Sequence, residues 1–183
     1  MSLIAGNLGI IQRLLDEHQM TWGVYAGAAA HFYGNRRPIK NIDILVAPGT
    51  LKDVMQLMQQ AKRVGQFDGR RIMWSGINLC DDISARHAGI TYPLKMDEPM
   101  IAHKRRQPLL GSRVEMLAPE DVLIHKLMYM RGNEQGKFDQ EDAQGIIQRQ
   151  QLDQEYLKQR IRLCNAERLV KPQLEELGLV LEA

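Results

Sequence analysis

Apolar residues at Leu8, Ile11, Leu14 and Leu15, with Asp16, Glu17 and Gln19 on other faces, give the segment from Leu3 to Gln19 a helical period. The spacing predicts an amphipathic helix that lays one stripe on a core. Trp22 to Ala26 reads as a short strand. Gly27 to Tyr33, made of small and apolar residues, reads as a short helix that Gly34-Asn35 ends. Ile42 to Val46 is apolar apart from Asp43, the pattern of a strand buried on at least one face. Pro48-Gly49-Thr50 makes a turn, with Thr50 placed to cap a helix over Leu51 to Gln60. Asp68-Gly69 is a hairpin signal between two short strands. Beyond it Ile77 and Leu79 alternate with Asn78 and Cys80, predicting a strand that runs into the polar pair Asp81-Asp82.

The pattern then weakens. Ala85 to Arg113 holds Pro93, Pro99 and Pro108 and shows no period. Val114 to Leu117 reads as a strand. Pro119, followed by Glu120 and Asp121, suits the first turn of a helix that runs to about Arg131. Gly132 to Lys137 is a loop, and Phe138 to Gln150, Asp153 to Leu163 and Pro172 to Leu177 are further helical segments. Strands concentrate early and helices late. The expectation is an α/β (α+β) fold, with a mixed sheet and flanking helices over residues 1–117 and a helical C-terminal part, 118–183, packed on that core.

Composition narrows the function classes. The chain has 183 residues, enough for one buried core. A net charge of only +2 excludes a strong global field toward nucleic acid or an anionic membrane. Two cysteines, Cys80 and Cys164, lie far from one another and from any metal-spaced histidine, so neither a disulfide framework nor a zinc site is expected. No long apolar stretch or leader-like N-terminus is present, and the expected compartment is the cytoplasm, with no membrane partner. His31, His87, His103 and His125 show no metal spacing and read as structural or surface residues. The cluster His103-Lys104-Arg105-Arg106 reads as a solvated surface.

The chemistry concentrates between Trp22 and Val46. Asn41 and Asp43, two apart on a strand, share a face and can address one ligand together. The small-residue turn at Gly27, with the amides of Ala28 and Ala29, can receive phosphate oxygens at the start of a helix, or can simply let that helix pack closely on the sheet. Arg36, Arg37 and Lys40 precede the Asp43 strand and can neutralise phosphate charge. Together these suggest nucleotide chemistry.

Ala26-Gly27-Ala28-Ala29, Gly34, Arg37, Ile39, Asn41, Ile42 and Asp43 resemble the Gly-Gly-x-Ala and Asp-Ile-Asp motifs of the nucleotidyltransferase superfamily. The resemblance is to its branch of small stand-alone, AbiEii-like proteins associated with toxin–antitoxin systems. Leu117-Ala118-Pro119-Glu120-Asp121-Val122-Leu123 leading to Lys126, then Lys137-Phe138-Asp139-Gln140-Glu141-Asp142, resembles the family's lysine-bearing helix and its downstream acidic segment. The resemblance implies Mg²⁺-dependent transfer of a nucleotidyl group from an NTP to an acceptor hydroxyl, on a protein, an RNA or a small molecule. In that scheme Asn41, Asp43 and Asp81 would hold metal, and Gly27, Ala28, Arg37 and Lys126 would hold the nucleotide. Asp43, Lys126 and Asp139 would carry catalysis.

Two departures bear on this. Asn41 stands where the family has its first Asp and removes a negative charge from the metal site. Ile39 stands where Thr is frequent. They open an alternative, a catalytically impaired nucleotide-binding or regulatory module, or a toxin–antitoxin component. Asp81 and Asp82 cannot both face the site if their strand is regular, and the alternation is read in favour of Asp81. Lys126 can contact triphosphate or extend a buried stem to solvent. Asp139 and Asp142 can orient Lys126 or Arg131, receive a substrate hydroxyl, or supply N-terminal helix charge.

Overall fold

The N-terminal period becomes helix α1 (Leu3–Glu17), capped by the Ser2 hydroxyl accepting from the Ala5 amide at 3.3 Å, in a computed structural model that describes residues 2–182. Leu8, Ile11 and Leu15 on its apolar stripe are fully buried. The chain continues through β1 (Trp22–Tyr25), α2 (Ala26–Tyr33), β2 (Ile42–Val46) and α3 (Leu51–Gln60). Strands β3 (Gln66–Phe67), β4 (Arg71–Trp74) and β5 (Ile77–Cys80) follow. Thr50 precedes α3 as expected but does not cap it. Its hydroxyl donates to the Ala47 carbonyl at 2.7 Å and closes the turn instead.

The unreadable stretch contains a small two-stranded sheet, β6 (Ala85–His87) and β7 (Ile90–Tyr92), then α4 (Glu98–His103) and β8 (Arg105–Leu109). β8 forms a hairpin with β9 (Ser112–Met116), which starts two residues before the expected strand. The turns explain the silence. Ala88-Gly89 and Leu110-Gly111 both have two consecutive positive φ angles, 48° and 79° in one and 49° and 82° in the other. Such turns normally advertise themselves with Asn or Asp at the first position, and here Ala and Leu occupy it. The basic cluster is a solvated surface only in part, since Arg105 and Arg106 are exposed but three of its four residues have partners. Lys104 pairs with Glu115 at 3.1 Å, Arg106 pairs with Asp16 at 2.8 Å and Glu115 at 3.1 Å, and the His103 ring stacks on Tyr156 at 3.5 Å.

Helices α5 (Pro119–Tyr129), α6 (Asp139–Arg149), α7 (Gln154–Leu163) and α8 (Glu167–Glu176) complete the chain. Helix α8 begins five residues before Pro172, where a helix start was expected, and carries that proline inside it. Burial of Val170 and Leu174 on either side outweighs the missing backbone donor. Arg160 of α7 is 1% exposed and fastens three helices. It bonds both oxygens of Asp97, the N-cap of α4, at 2.7 and 2.8 Å, and its Nε lies 2.7 Å from Asp121 of α5.

The main sheet has seven strands in the order β3-β4-β5-β2-β1-β9-β8. β2 pairs with β5, and β1 with β9, in parallel; the other pairs are antiparallel. The mixed α/β expectation therefore holds. Helices α1 and α3 pack together, while α2 packs against α5 and α6. The end of α2 approaches α6 so closely that a Cβ at Gly34 would collide with the Gly145 carbonyl. Register sets the next level of the structure, because Tyr25, Asp43 and Asn78 fall in one row across β1, β2 and β5. Among the described residues no helix is long and apolar enough to cross a membrane.

Candidate functional site

Residues in one row of a sheet present their side chains to the same face. Asn78 donates its amide to Asp43 Oδ1 at 3.0 Å, and Asn41 donates to Asp43 Oδ2 at 3.1 Å. Both carboxylate oxygens are thus occupied by neutral donors. Burial raises the Asp43 carboxyl above its ordinary range, against the pull of these amides and of Lys126. Asn78 received no role from the sequence alone. Its signal was a polar side chain in a strand whose other positions, Ile77 and Leu79, are fully buried.

The same register bears on the third carboxylate. Alternation along β5 places Asn78 and Cys80 on the Asp43 face, so it is Asp82 rather than Asp81 that continues that row. The chain bends after Cys80. Asp81 accepts from the Gly49 amide at 3.0 Å, whereas Asp82 accepts from the Ser84 amide at 2.9 Å and lies 3.5 Å from Lys95. Among the described residues no group of three His, Cys, Asp or Glu side chains is placed to hold a metal ion. Asn41, Asp43 and Asp81 supply two carboxylates and one amide whose N–H points at Asp43, a donor set poor in charge for the two-cation Mg²⁺ centre that the resemblance implies. The set offers one carboxylate already holding two amides, and another committed to a backbone turn.

A second cluster forms the opposite wall. Lys126 of α5 is 5% exposed, and its ammonium lies 2.9 Å from both Asp139 and Asp142. Asp139 also accepts from Arg131 Nε at 2.8 Å; Asp142 accepts from Arg37 at 2.5 Å and from Asn35 at 3.0 Å. Burial pushes the Asp139 carboxyl up, but its bonds to Arg131 and Lys126 more than offset this and leave it below the ordinary range. Asp139 is the first residue of α6 and not its cap. Lys126 spends its charge inside the protein instead of reaching solvent. The Arg37 guanidinium lies 4.0 Å over the Phe138 ring, so loop, α5 and α6 are locked together.

Between the two clusters opens a cleft of about 1300 Å³. Gly27, Ala28, Arg37, Asn41, Asp43, Asp81, Lys126 and Asp139 all line it, whereas Ala29 is buried behind it and Arg36 lies outside it. Gly27 is exposed there, and a Cβ on it would meet nothing within 4 Å. Packing does not require that glycine. Close packing on the sheet is the work of Ala28, Ala29 and Ala30, which are buried. On the cleft floor the Tyr25 and His125 rings meet edge-on at 5.1 Å, and the Tyr25 hydroxyl lies 3.1 Å from Cys80 Sγ. Burial holds the His125 pKa down at about 3, with Lys126 adding to the effect, so the ring is neutral. Neither Tyr25 nor His125 was expected at the site.

The charge lining is uneven. Nine Lys or Arg side chains face five Asp across the cleft, while the whole chain carries only +2, so the remainder of the molecule is net negative.

No protein-family model matches the sequence, and no curated protein matches it. Solved structures do match in fold. The antibiotic-resistance factor ANT(2'')-Ia aligns with a TM-score of 0.59 at 12% identity, over 95% of this chain and 96% of its own. An antigenic nucleotidyltransferase-like protein from Paracoccidioides brasiliensis aligns with a TM-score of 0.55 at 15% identity, over 99% of this chain and 94% of its own. Extending over nearly the whole of each chain, these matches identify the fold as nucleotidyltransferase-like.

Proposed function

We propose that the chain binds a nucleoside triphosphate in this cleft, with the Gly27 turn and the Ala28 amide against the phosphates. Arg37, partly exposed beside Asp142 and Glu141, edges the opposite wall, and Lys126 behind it would reach a phosphate by exchanging one of its two carboxylates, Asp139 or Asp142. The observation that carries the reading is the convergence of an exposed glycine turn and a basic wall on one cleft in a nucleotidyltransferase-like fold. A second reading adds nucleotidyl transfer to an acceptor hydroxyl of a protein, an RNA or a small molecule. One observation favours it: Asp43 lines the cleft with its carboxyl raised by burial, which suits it to accept a hydroxyl proton. Since the donor set is poor in charge for a two-cation centre, no step is assigned to Mg²⁺. A regulatory or toxin–antitoxin role rests on the resemblance to the AbiEii-like branch.

Gly27→Ala separates phosphate contact from packing. The position is open and its φ is not positive, so the substitution is expected to hold or raise stability by up to ~1 kcal/mol through the loss of glycine's freedom in the unfolded chain. Nucleotide affinity, followed by calorimetric titration with ATP and GTP, is expected to fall about tenfold, or ~1.4 kcal/mol. Unchanged affinity in a stably folded variant would remove the phosphates from this turn.

A further inference from the structure

The carboxylates of the cleft are all engaged within the protein. Asp43 holds two asparagine amides, Asp81 a backbone amide, and Asp82 the Ser84 amide and Lys95. Asp139 and Asp142 are held by Lys126, Arg131 and Arg37. The cations are not so committed. Lys40, Lys52, Arg70, Arg86 and Lys137 line the same cleft and form no ion pair among the described residues. Surplus charge of one sign in a cleft selects a ligand of the other sign. A hard divalent cation needs several anionic oxygens free to coordinate, and here Asp43 already accepts at both oxygens while Asp81 accepts at Oδ2.

From this imbalance we infer that the cleft takes its nucleoside triphosphate as the metal-free polyanion, with lysine and arginine side chains neutralising the phosphates in place of a divalent cation. The inference rests on the nucleotide reading above and gives it a definite ionic form. Asn41 and Asn78 have a specific part in it. Each turns an N–H donor toward Asp43, where a carboxylate at the same place would have turned a metal ligand. The two amides offset part of the burial that raises Asp43, and being neutral they leave the cleft's net charge positive. Complexation with Mg²⁺ lowers the charge of the triphosphate, so it weakens the property that this lining recognises.

The test is calorimetric titration of the full chain with ATP, in EDTA and in excess MgCl₂ at matched ionic strength. Affinity in EDTA is expected to equal or exceed that in Mg²⁺. Lys52→Gln and Arg70→Gln are each expected to weaken the EDTA affinity severalfold. Asn41→Asp combined with Asn78→Asp, confirmed folded by thermal melting, is expected to reverse the preference toward Mg²⁺. Binding that falls about tenfold or more when Mg²⁺ is withheld from the wild type overturns the inference while leaving the nucleotide reading intact. Absence of ATP binding in both conditions overturns the nucleotide reading, and the inference with it.

Discussion

Replacing Arg160 with alanine is expected to cost about 3–5 kcal/mol of stability, the usual result of removing one partner from a buried ion pair. The guanidinium is almost wholly buried and meets Asp97 through two hydrogen bonds while its Nε faces Asp121. Without it, Asp121 stays buried among apolar neighbours, with the Tyr156 hydroxyl donating to it at 2.8 Å. Burial already lifts Asp121 to about 6, with Arg160 and Tyr156 holding it down, so the variant's Asp121 moves higher still. A carboxyl whose folded pKa exceeds its unfolded value binds more protons in the native state. Its favourable contribution is complete below the unfolded pKa and is lost as pH rises through the folded one. The cost of Arg160→Ala is therefore expected to be smaller near pH 5 than near pH 8, as read from urea midpoints at each. Asp121→Asn in the same background should recover much of the loss at the higher pH. Equal costs at both pH values would show that Asp121 is not the group left uncompensated.

The second large effect is an acid limb of stability set by His125. Its ring is fully buried between Tyr25 and Tyr129, with centroids 5.1 and 4.9 Å away, and Nδ1 has no hydrogen-bond partner. With a folded pKa near 3 against an ordinary 6.5, the unfolded chain binds the proton first as pH falls. Stability is then complete above about 6.5 and declines toward 3. The decline amounts to about 3 kcal/mol by roughly pH 4.5, taking ~1.4 kcal/mol per unit. His125→Phe keeps a ring between the two tyrosines and removes the proton site. Its stability relative to wild type should rise by that amount between pH 7 and pH 4.5, whatever the other groups do, since they are common to both proteins. Parallel curves for the two proteins would place the acid limb elsewhere.

Much of this architecture was legible where hydrophobic period and turn chemistry agree. The helix over Leu3–Glu17 and the strand over Ile42–Val46 declare themselves because burial falls mainly on their apolar positions, Asn7 being the polar exception. The stretch from Ala85 to Arg113 did not, because its hairpins turn on Ala88 and Leu110, side chains that ordinarily avoid the conformation they adopt. Helix α8 extends five residues before Pro172 because the packing of Val170 and Leu174 outweighs the donor that proline lacks.

At the cleft, motif spacing singled out the Gly27 turn, Arg37, Asp43, Lys126 and Asp139, and the fold brings them to one place. What spacing does not carry is partnership across the fold. Asn78 reaches Asp43 only through the pairing of β5 with β2, and Arg160 reaches Asp97 across 63 positions of sequence. The reading of Asp81 over Asp82 depended on which face of β5 is buried, and only the register with β2 decides that.

The uneven charge of the cleft also has a kinetic side. Positive side chains crowd one concavity on a molecule whose remaining surface is net negative. Field lines from such a distribution converge on the opening, drawing small anions inward and turning large polyanions away from the other faces. The association rate of a phosphate-bearing ligand should fall steeply as ionic strength rises through the range where the screening length shrinks from ~30 Å to ~10 Å. Its dissociation rate, set by contacts within the cleft, should change far less. Capture would then be fastest in dilute buffer, and a stopped-flow salt series would read the shape of the field directly.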